Sequence, residues 1–150
     1  RPVLTELISK VDTLLINEEE AKQLTGEDHL PDAAQAIIKL GPNSTVIKRG
    51  EYGATLFGDG FSFAAPAYPL ERVVDPTGAG DSFAGGFMGY LASVDKADEE
   101  SLRTAAIVGS TMASFAVEDF GLDRTKNLAK SDIDERFNAF VDLTRFNPLT

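Results

Sequence analysis

The chain has 150 residues, of which 43% are hydrophobic and 25% charged, a composition typical of one globular domain. It contains no cysteine and one histidine, His29, which excludes a disulfide framework, thiol catalysis and a thiolate metal site. The net charge of −10 disfavours nucleic acid and anionic membranes as partners. Since neither a membrane-spanning run nor a signal-peptide pattern occurs, we expect a cytoplasmic location. His29 lies in a polar stretch, and we interpret it as a surface residue.

The first forty residues predict one strand and two helices. Residues 11–16 end in three aliphatic side chains and predict a buried strand. A helix should follow from Asn17 to about Gly26, and a second from Pro31 to the breaker Gly41-Pro42. The apolar face of this second helix is formed by Ala34, Ile37, Ile38 and Leu40.

The middle of the chain changes to a period of two. Residues 45–48, 54–57 and 61–65 predict short β-strands, and Gly58-Asp59-Gly60 predicts a hairpin turn between the last two. A further strand at Val73-Val74 should lead through a glycine-rich turn, at Asp75, into a helix.

Three helices complete the predicted order. The first helix ends at about Ser93, and its apolar residues at helical spacing are Phe83, Phe87, Tyr90 and Leu91. The buried face of the second helix should consist of Leu102, Ala105, Ala106, Gly109, Met112, Ala113 and Ala116. The third helix should have Ser131 as its N-cap, and its buried face should consist of Ile133, Phe137, Phe140 and Val141. Strands alternating with helices indicate an α/β fold with a mostly parallel sheet, a β-hairpin and helices on both faces.

Residues 77–81, Thr-Gly-Ala-Gly-Asp, are the most informative stretch. The N–H groups of Gly78, Ala79, Gly80 and Asp81 should be unpaired at a helix N-terminus, where the helix dipole favours a phosphate or an oxyanion. Asp81 has two interpretations here. It either takes a proton from a hydroxyl group that attacks the phosphate, or it only complements the helix dipole. The Rossmann and Walker A patterns are absent from the sequence.

Two further polar groups follow predicted strands. Asn17 and Glu20 have the spacing of a capping box, which alone explains both residues. Lys48 is followed by the loop Gly50 to Gly53, which is either part of a ligand site or a turn with solvated basic side chains. Because open α/β sheets bind ligands at the carboxyl ends of their strands, we expect Asn17, Lys48 and Asp75 at one edge.

These motifs resemble a known family. Residues 75–87, Asp-Pro-Thr-Gly-Ala-Gly-Asp-Ser-Phe-Ala-Gly-Gly-Phe, are similar to the second signature of the ribokinase-like (PfkB) carbohydrate and nucleoside kinases. The Asn17-x-x-Glu20 and Lys48-x-Gly50-x-x-Gly53 patterns resemble two more elements of that family, in the same order. The resemblance covers about residues 11–121, and residues 122–150 match only as a closing helix.

The resemblance implies roles for individual residues. Asp81 is the expected catalytic base, and the amides of Gly78, Ala79 and Gly80 form the expected anion hole. The expected ATP and magnesium site uses Asn17 and Glu20 to hold Mg²⁺ and its waters, Lys48, Gly50 and Gly53 along the phosphates and ribose, and Gly109 and Met112 near the adenine. The resemblance also implies a site for a monovalent cation such as K⁺ at Asp75, Thr77 and Gly121. In this sequence, however, Leu122-Asp123-Arg124 replace the small residues that usually follow the last glycine.

The implied activity is ATP-dependent phosphorylation of a hydroxymethyl group on a sugar or a nucleoside. On this interpretation residues 1–150 are the C-terminal, nucleotide-binding half of such a kinase. The N-terminal half, with its lid and most of the substrate pocket, is then missing from these residues, which agrees with a first residue other than methionine. The alternatives are a catalytically incomplete ATP-binding module and a vitamin-precursor kinase on the same fold.

Overall fold

A computed structural model describes residues 2–149 as seven helices and four strands. The N-terminal half contains α1 (Pro2–Ile8), β1 (Thr13–Asn17), α2 (Glu18–Thr25), α3 (Leu30–Lys39), β2 (Ser44–Lys48), a 3₁₀ turn (Gly50–Tyr52), β3 (Ala54–Gly58) and β4 (Phe61–Ala65). The C-terminal half is helical, with α4 (Ala79–Val94), α5 (Glu99–Ala116), α6 (Asp123–Lys126) and α7 (Lys130–Thr144). Within the described residues, no helix has the length and apolarity needed to cross a lipid bilayer.

The four strands form one open sheet in the order β1-β2-β3-β4. The predicted α/β class and the hairpin are confirmed: Gly58 pairs with Phe61 across a two-residue turn. The expectation of a mostly parallel sheet is wrong for the described strands, because only β1 and β2 pair in parallel while β2–β3 and β3–β4 are antiparallel. The reason is connection length: α2 and α3 cross over between the parallel strands, whereas short turns can join only antiparallel neighbours.

Helices cover both faces of the sheet, as expected. Val46 and Ile47 are consecutive in β2 and fully buried, so they point to opposite faces. Val46 belongs to a core shared with α4, α5 and α7, whereas Ile47 packs with Ala33, Ala34 and Ile37 beneath α2 and α3. Since β1 and β2 pair in parallel and Asn17 is both the end of β1 and the N-cap of α2, the carboxyl ends of both strands lie beside the start of α2.

Three local predictions are wrong. Helix α7 begins after Ala129, not Ser131, because the Asp132 carboxylate accepts a hydrogen bond from the Ala129 N–H at 3.0 Å. Val141 is 44% exposed, since Phe140 is the side chain of α7 that enters the core. No strand forms at Val73-Val74, because the Val74 N–H donates to the carbonyl of Val117 at the end of α5 instead of to a strand.

Candidate functional site

The N-terminus of α4 is open to an anion. Its N-cap, Gly78, has φ 81°, a left-handed conformation that glycine adopts without strain, and it provides no capping side chain. The prediction of an unpaired N–H at Ala79 is wrong, because this group closes the turn by donating to the Pro76 carbonyl at 3.3 Å. The N–H groups of Gly78, Gly80 and Asp81 have no acceptor in the described part of the chain. The turn therefore presents three free donors where the helix dipole is positive.

Lys48 brings a positive charge to the same place. It pairs in register with Asn17, so the ends of β1 and β2 are adjacent, as predicted. A Cβ atom built on Gly80 would lie 3.0 Å from the Lys48 Nζ atom, so the ammonium group lies directly against the first turn of α4. Among residues 2–149 this ammonium group has no ion-pair or hydrogen-bond partner. An unpaired cation beside free N–H donors indicates an anion site.

Asp81 is the third residue of α4 and is exposed. Its carboxylate makes no capping bond, other hydrogen bond or ion pair within the described residues. In this respect it differs from Glu20, the acidic residue at the same position of α2, which bonds to its N-cap. The Asp81 carboxylate is therefore free to contact a ligand held at the helix terminus.

Asp75 orders the approach to the turn. Its Oδ1 atom accepts a hydrogen bond from the Thr77 N–H at 2.9 Å, and this bond lowers the pKa of the Asp75 carboxyl below its ordinary value. The N–H groups of Val74 and Asp75 both donate to the Val117 carbonyl, at 2.8 and 3.4 Å. Gly121 lies four residues after Val117 and has φ 59°. A Cβ atom built on Gly121 would have open space around it, with no contact within 4 Å. Asp75 and Thr77 are thus brought together, while the cation role of all three residues stays a prediction.

Asn17 and Glu20 form the complete capping box that their spacing predicts. The Asn17 Oδ1 atom accepts from the Glu20 N–H at 2.7 Å, and the Glu20 carboxylate accepts from the Asn17 N–H at 3.1 Å. In the part of the chain that the structure describes, no three His, Cys, Asp or Glu side chains are placed to hold a metal ion. One carboxylate fits Mg²⁺ nevertheless, because this ion keeps several waters and takes its other ligands from nucleotide phosphates.

The loop after β2 is held by its own contacts. Arg49 pairs with Glu18 at 3.1 Å and faces the ring of Tyr52, so it ties the loop to α2. Gly50 and Gly53 both have positive φ, and a Cβ on Gly53 would collide with the carbonyl of Ala65. Close backbone packing therefore accounts for Gly53, and its contact with ATP stays a prediction.

Gly109 and Met112 lie where α4 and α5 cross. A Cβ on Gly109 would lie 3.0 Å from the Phe83 ring, and Met112 Cγ would be 2.8 Å from a Cβ on Gly86. Helix packing therefore explains the glycines at 86 and 109 without a ligand. The position of Gly109 and Met112 near an adenine ring stays a prediction.

One cluster of charged residues was missed from the sequence. Arg136 of α7 is only 16% exposed and pairs with Glu118 at 2.6 Å. The available signal was an arginine in the apolar stripe between Ile133 and Phe140, which is costly to bury unless it is paired.

The fold and this arrangement define a class of protein: an α/β protein that can bind an anion at a helix N-terminus, next to the carboxyl ends of its strands. The chain belongs to the pfkB family of carbohydrate kinases, whose sequence model matches residues 1–128.

The similar proteins act on different acceptors. A cytidine kinase of Thermococcus kodakarensis is 44% identical over 93 residues, and the match covers 60% of this chain and 33% of the cytidine kinase. An Arabidopsis thaliana ribokinase is 36% identical over 116 residues, and the match covers 73% of this chain and 30% of the ribokinase. The structure of Salmonella enterica aminoimidazole riboside kinase, complexed with aminoimidazole riboside and an ATP analog, superposes with a TM-score of 0.81 at 27% identity. The match covers 91% of this chain and 45% of that one. The chain thus spans about a third of the length of these two curated relatives.

Proposed function

We propose that this chain binds the phosphates of ATP at the N-terminus of α4, and that the protein containing it phosphorylates a hydroxymethyl group of a sugar or a nucleoside. The observation that carries the proposal is the position of the Lys48 ammonium group beside Gly80. It has no partner in the described chain, and it faces free N–H donors. A phosphate satisfies both the charge and the donors.

The proposed reaction needs one base. The acceptor oxygen forms a bond to the γ-phosphorus while the bond from that phosphorus to the bridging oxygen of ADP breaks. The proton of the acceptor hydroxyl passes to the Asp81 carboxylate, and ADP and a phosphate ester result. Gly78 and Gly80 donate N–H bonds to the transferred group, and Lys48 offsets its negative charge. Mg²⁺, when bound, screens the phosphates, with Glu20 as the proposed contact through water.

Three finer assignments accompany this proposal. We assign the chain to the C-terminal half of the kinase, because its relatives are about two to three times as long and residues 75–87 resemble the second of the family's two signatures. Asp75, Thr77 and Gly121 are the proposed ligands of K⁺. A cytoplasmic location, where ATP is available, fits the reaction.

A phosphate series tests the binding site. Isotope-labelled chain is titrated with ATP, ADP, AMP and adenosine in Mg²⁺, and the backbone amides are followed by NMR. ATP and ADP should shift the amides of Gly78, Gly80 and Asp81, and adenosine should not. Gly26, which is also left-handed but ends α2, is the internal control. Equal shifts from adenosine, or shifts confined to other residues, contradict the proposal.

The second candidate function is that of a module that binds ATP without turnover. It is favoured because the chain covers only about a third of the length of its relatives. The two are separated by measuring ADP release, with a panel of sugars and nucleosides, from the complete protein alongside the 150-residue chain. Because phosphoryl transfer depends on positioning of the acceptor, we expect the 150-residue chain to bind nucleotide without acceptor-dependent release and the complete protein to release ADP with at least one acceptor. Release by neither favours the module. Acceptor-dependent release by this chain rejects the module.

A further inference from the structure

Arg136 is the most completely engaged charged side chain of the C-terminal helices. Its guanidinium pairs with a Glu118 oxygen at 2.6 Å and donates to the Ser114 hydroxyl at 3.2 Å. The same group lies 3.9 Å from the centre of the Phe115 ring and 4.6 Å from that of Tyr68. The planar group is thus fixed by two polar and two aromatic contacts, so it holds one orientation.

Glu118 passes this restraint to the segment after α5. Its second oxygen accepts a hydrogen bond from Arg124 at 3.0 Å, so both carboxylate oxygens are engaged, from α6 and from α7. The residue before it, Val117, accepts the N–H groups of Val74 and Asp75 on its carbonyl. The Val117 carbonyl and the paired Glu118 side chain thus belong to adjacent residues.

The segment from residue 66 to 78 depends on few contacts of this kind. It contains no helix or strand. Apart from the turn bonds that Pro76 and Gly78 accept from Ala79 and Ser82 of α4, its backbone bonds to other elements, within the described residues, are the two to Val117. At its beginning Tyr68 lies against Arg136 and packs on Phe140, with ring centres 5.5 Å apart. Arg136 thus contacts the start of the segment directly and reaches its end through Glu118.

We propose that Arg136 is a positioning residue for the glycine turn: through Glu118 and the Val117 carbonyl, it fixes the backbone at 74–75 from which Gly78 to Asp81 are presented to the nucleotide phosphates. The inference rests on the proposed function of that turn. Asp75 completes the connection, because its carboxylate bonds to the Thr77 N–H, one residue before Gly78.

A positioning role differs from a role in holding α7 alone. If Arg136 only anchors α7, its loss lowers stability and leaves the turn unchanged. If it positions the turn, its loss also moves the amides of 74–81 and weakens nucleotide binding in molecules that remain folded. The chain offers a control: Arg103 pairs with Glu99 at 2.6 Å and faces the rings of Phe61 and Phe63, all of which lie outside residues 66–78.

The test compares Arg136→Met, Arg136→Lys, Glu118→Gln and Arg103→Met in the 150-residue chain. Urea unfolding selects conditions in which each variant is folded. Backbone amide shifts are then recorded without nucleotide, and the affinity for ATP with Mg²⁺ is measured by calorimetry. Glu118→Gln keeps the side-chain shape and supplies the evidence if Arg136→Met does not fold.

Arg136→Met and Glu118→Gln should shift the amides of Val74, Asp75 and Gly78 to Asp81. They should weaken ATP binding about threefold to thirtyfold, the range in which a residue coupled through a contact network alters a distant site. Arg136→Lys should give a smaller loss, and Arg103→Met none. Unchanged amides and affinity in folded Arg136→Met and Glu118→Gln overturn the inference. Absence of ATP binding by the unchanged chain instead overturns the proposed function, and the nucleotide-free shifts still report whether Arg136 positions the turn.

Discussion

Gly85 and Gly86 provide an internal comparison of helix packing. The two glycines are neighbours in the middle of α4, so alanine at either position gains about the same helix propensity, roughly 1 kcal/mol. Their surroundings differ. A Cβ on Gly85 would meet nothing within 4 Å, whereas a Cβ on Gly86 would lie 2.8 Å from Met112 Cγ and 3.0 Å from the Val108 carbonyl oxygen.

These distances set the expected energies. Gly85→Ala should raise the free energy of unfolding by about 0.5–1 kcal/mol, because the added methyl group lies in open space. Gly86→Ala should be about 1–3 kcal/mol less stable than Gly85→Ala, since forcing a methyl group into a close helix contact costs that much. The shared propensity cancels in this difference, so the difference measures the α4–α5 contact alone.

Urea unfolding followed by circular dichroism measures both variants, provided that their slopes against denaturant agree. Equal stability of the two variants, or a more stable Gly86→Ala, refutes the reasoning. It would mean that α4 and α5 are farther apart than described, and the position of Asp81 at the start of α4 would then also be in question.

Three other changes have defined outcomes. In the complete protein, Asp81→Asn should lower kcat by roughly 10²–10⁴ while ATP binding persists; unchanged turnover shows that Asp81 is not the base. Gly78→Ala should lose about 1 kcal/mol or more of stability from backbone strain at φ 81°, and wild-type stability in urea contradicts this. Because the Thr77 N–H lowers the pKa of Asp75, their bond is complete above the ordinary value of 3.8 and is lost as the pH falls through the lower, folded value. The Thr77 amide shift should therefore titrate with a midpoint below pH 3.8, and a midpoint at or above that pH refutes the assignment.

Local patterns in the sequence predicted much of the fold. The hairpin at Gly58 to Gly60, the capping box at Asn17 and the helix that follows the glycine turn each depend on residues close in the chain, and the structure contains all three. Such features are predictable because turn and cap chemistry is decided by neighbours.

The errors concern choices made by distant contacts. Val73-Val74 has strand propensity, but the nearest acceptor is the end of α5, so no ladder forms. Helix periodicity placed Val141 inside, yet α7 is rotated so that Arg136 and Phe140 face the core. The capping chemistry of Asp132, three residues beyond Ala129, overrides Ser131.

The candidate site was predictable in part. The motifs located Asp81, Lys48 and the glycine turn, and strand register brought Asn17 and Lys48 together as expected. The pairing of Arg136 with Glu118 was not predictable, because it joins two helices whose relative rotation depends on the packed core.

The central claim is that Lys48 and the start of α4 bind a nucleotide phosphate. Calorimetric titration of the 150-residue chain with ATP and Mg²⁺ tests it most directly, comparing Lys48→Met with Lys39→Met, a control at an exposed lysine of α3. Removing a cation that contacts a phosphate should weaken binding roughly 10- to 100-fold, and Lys39→Met should bind as the unchanged chain does. Equal affinities of the two variants contradict the claim.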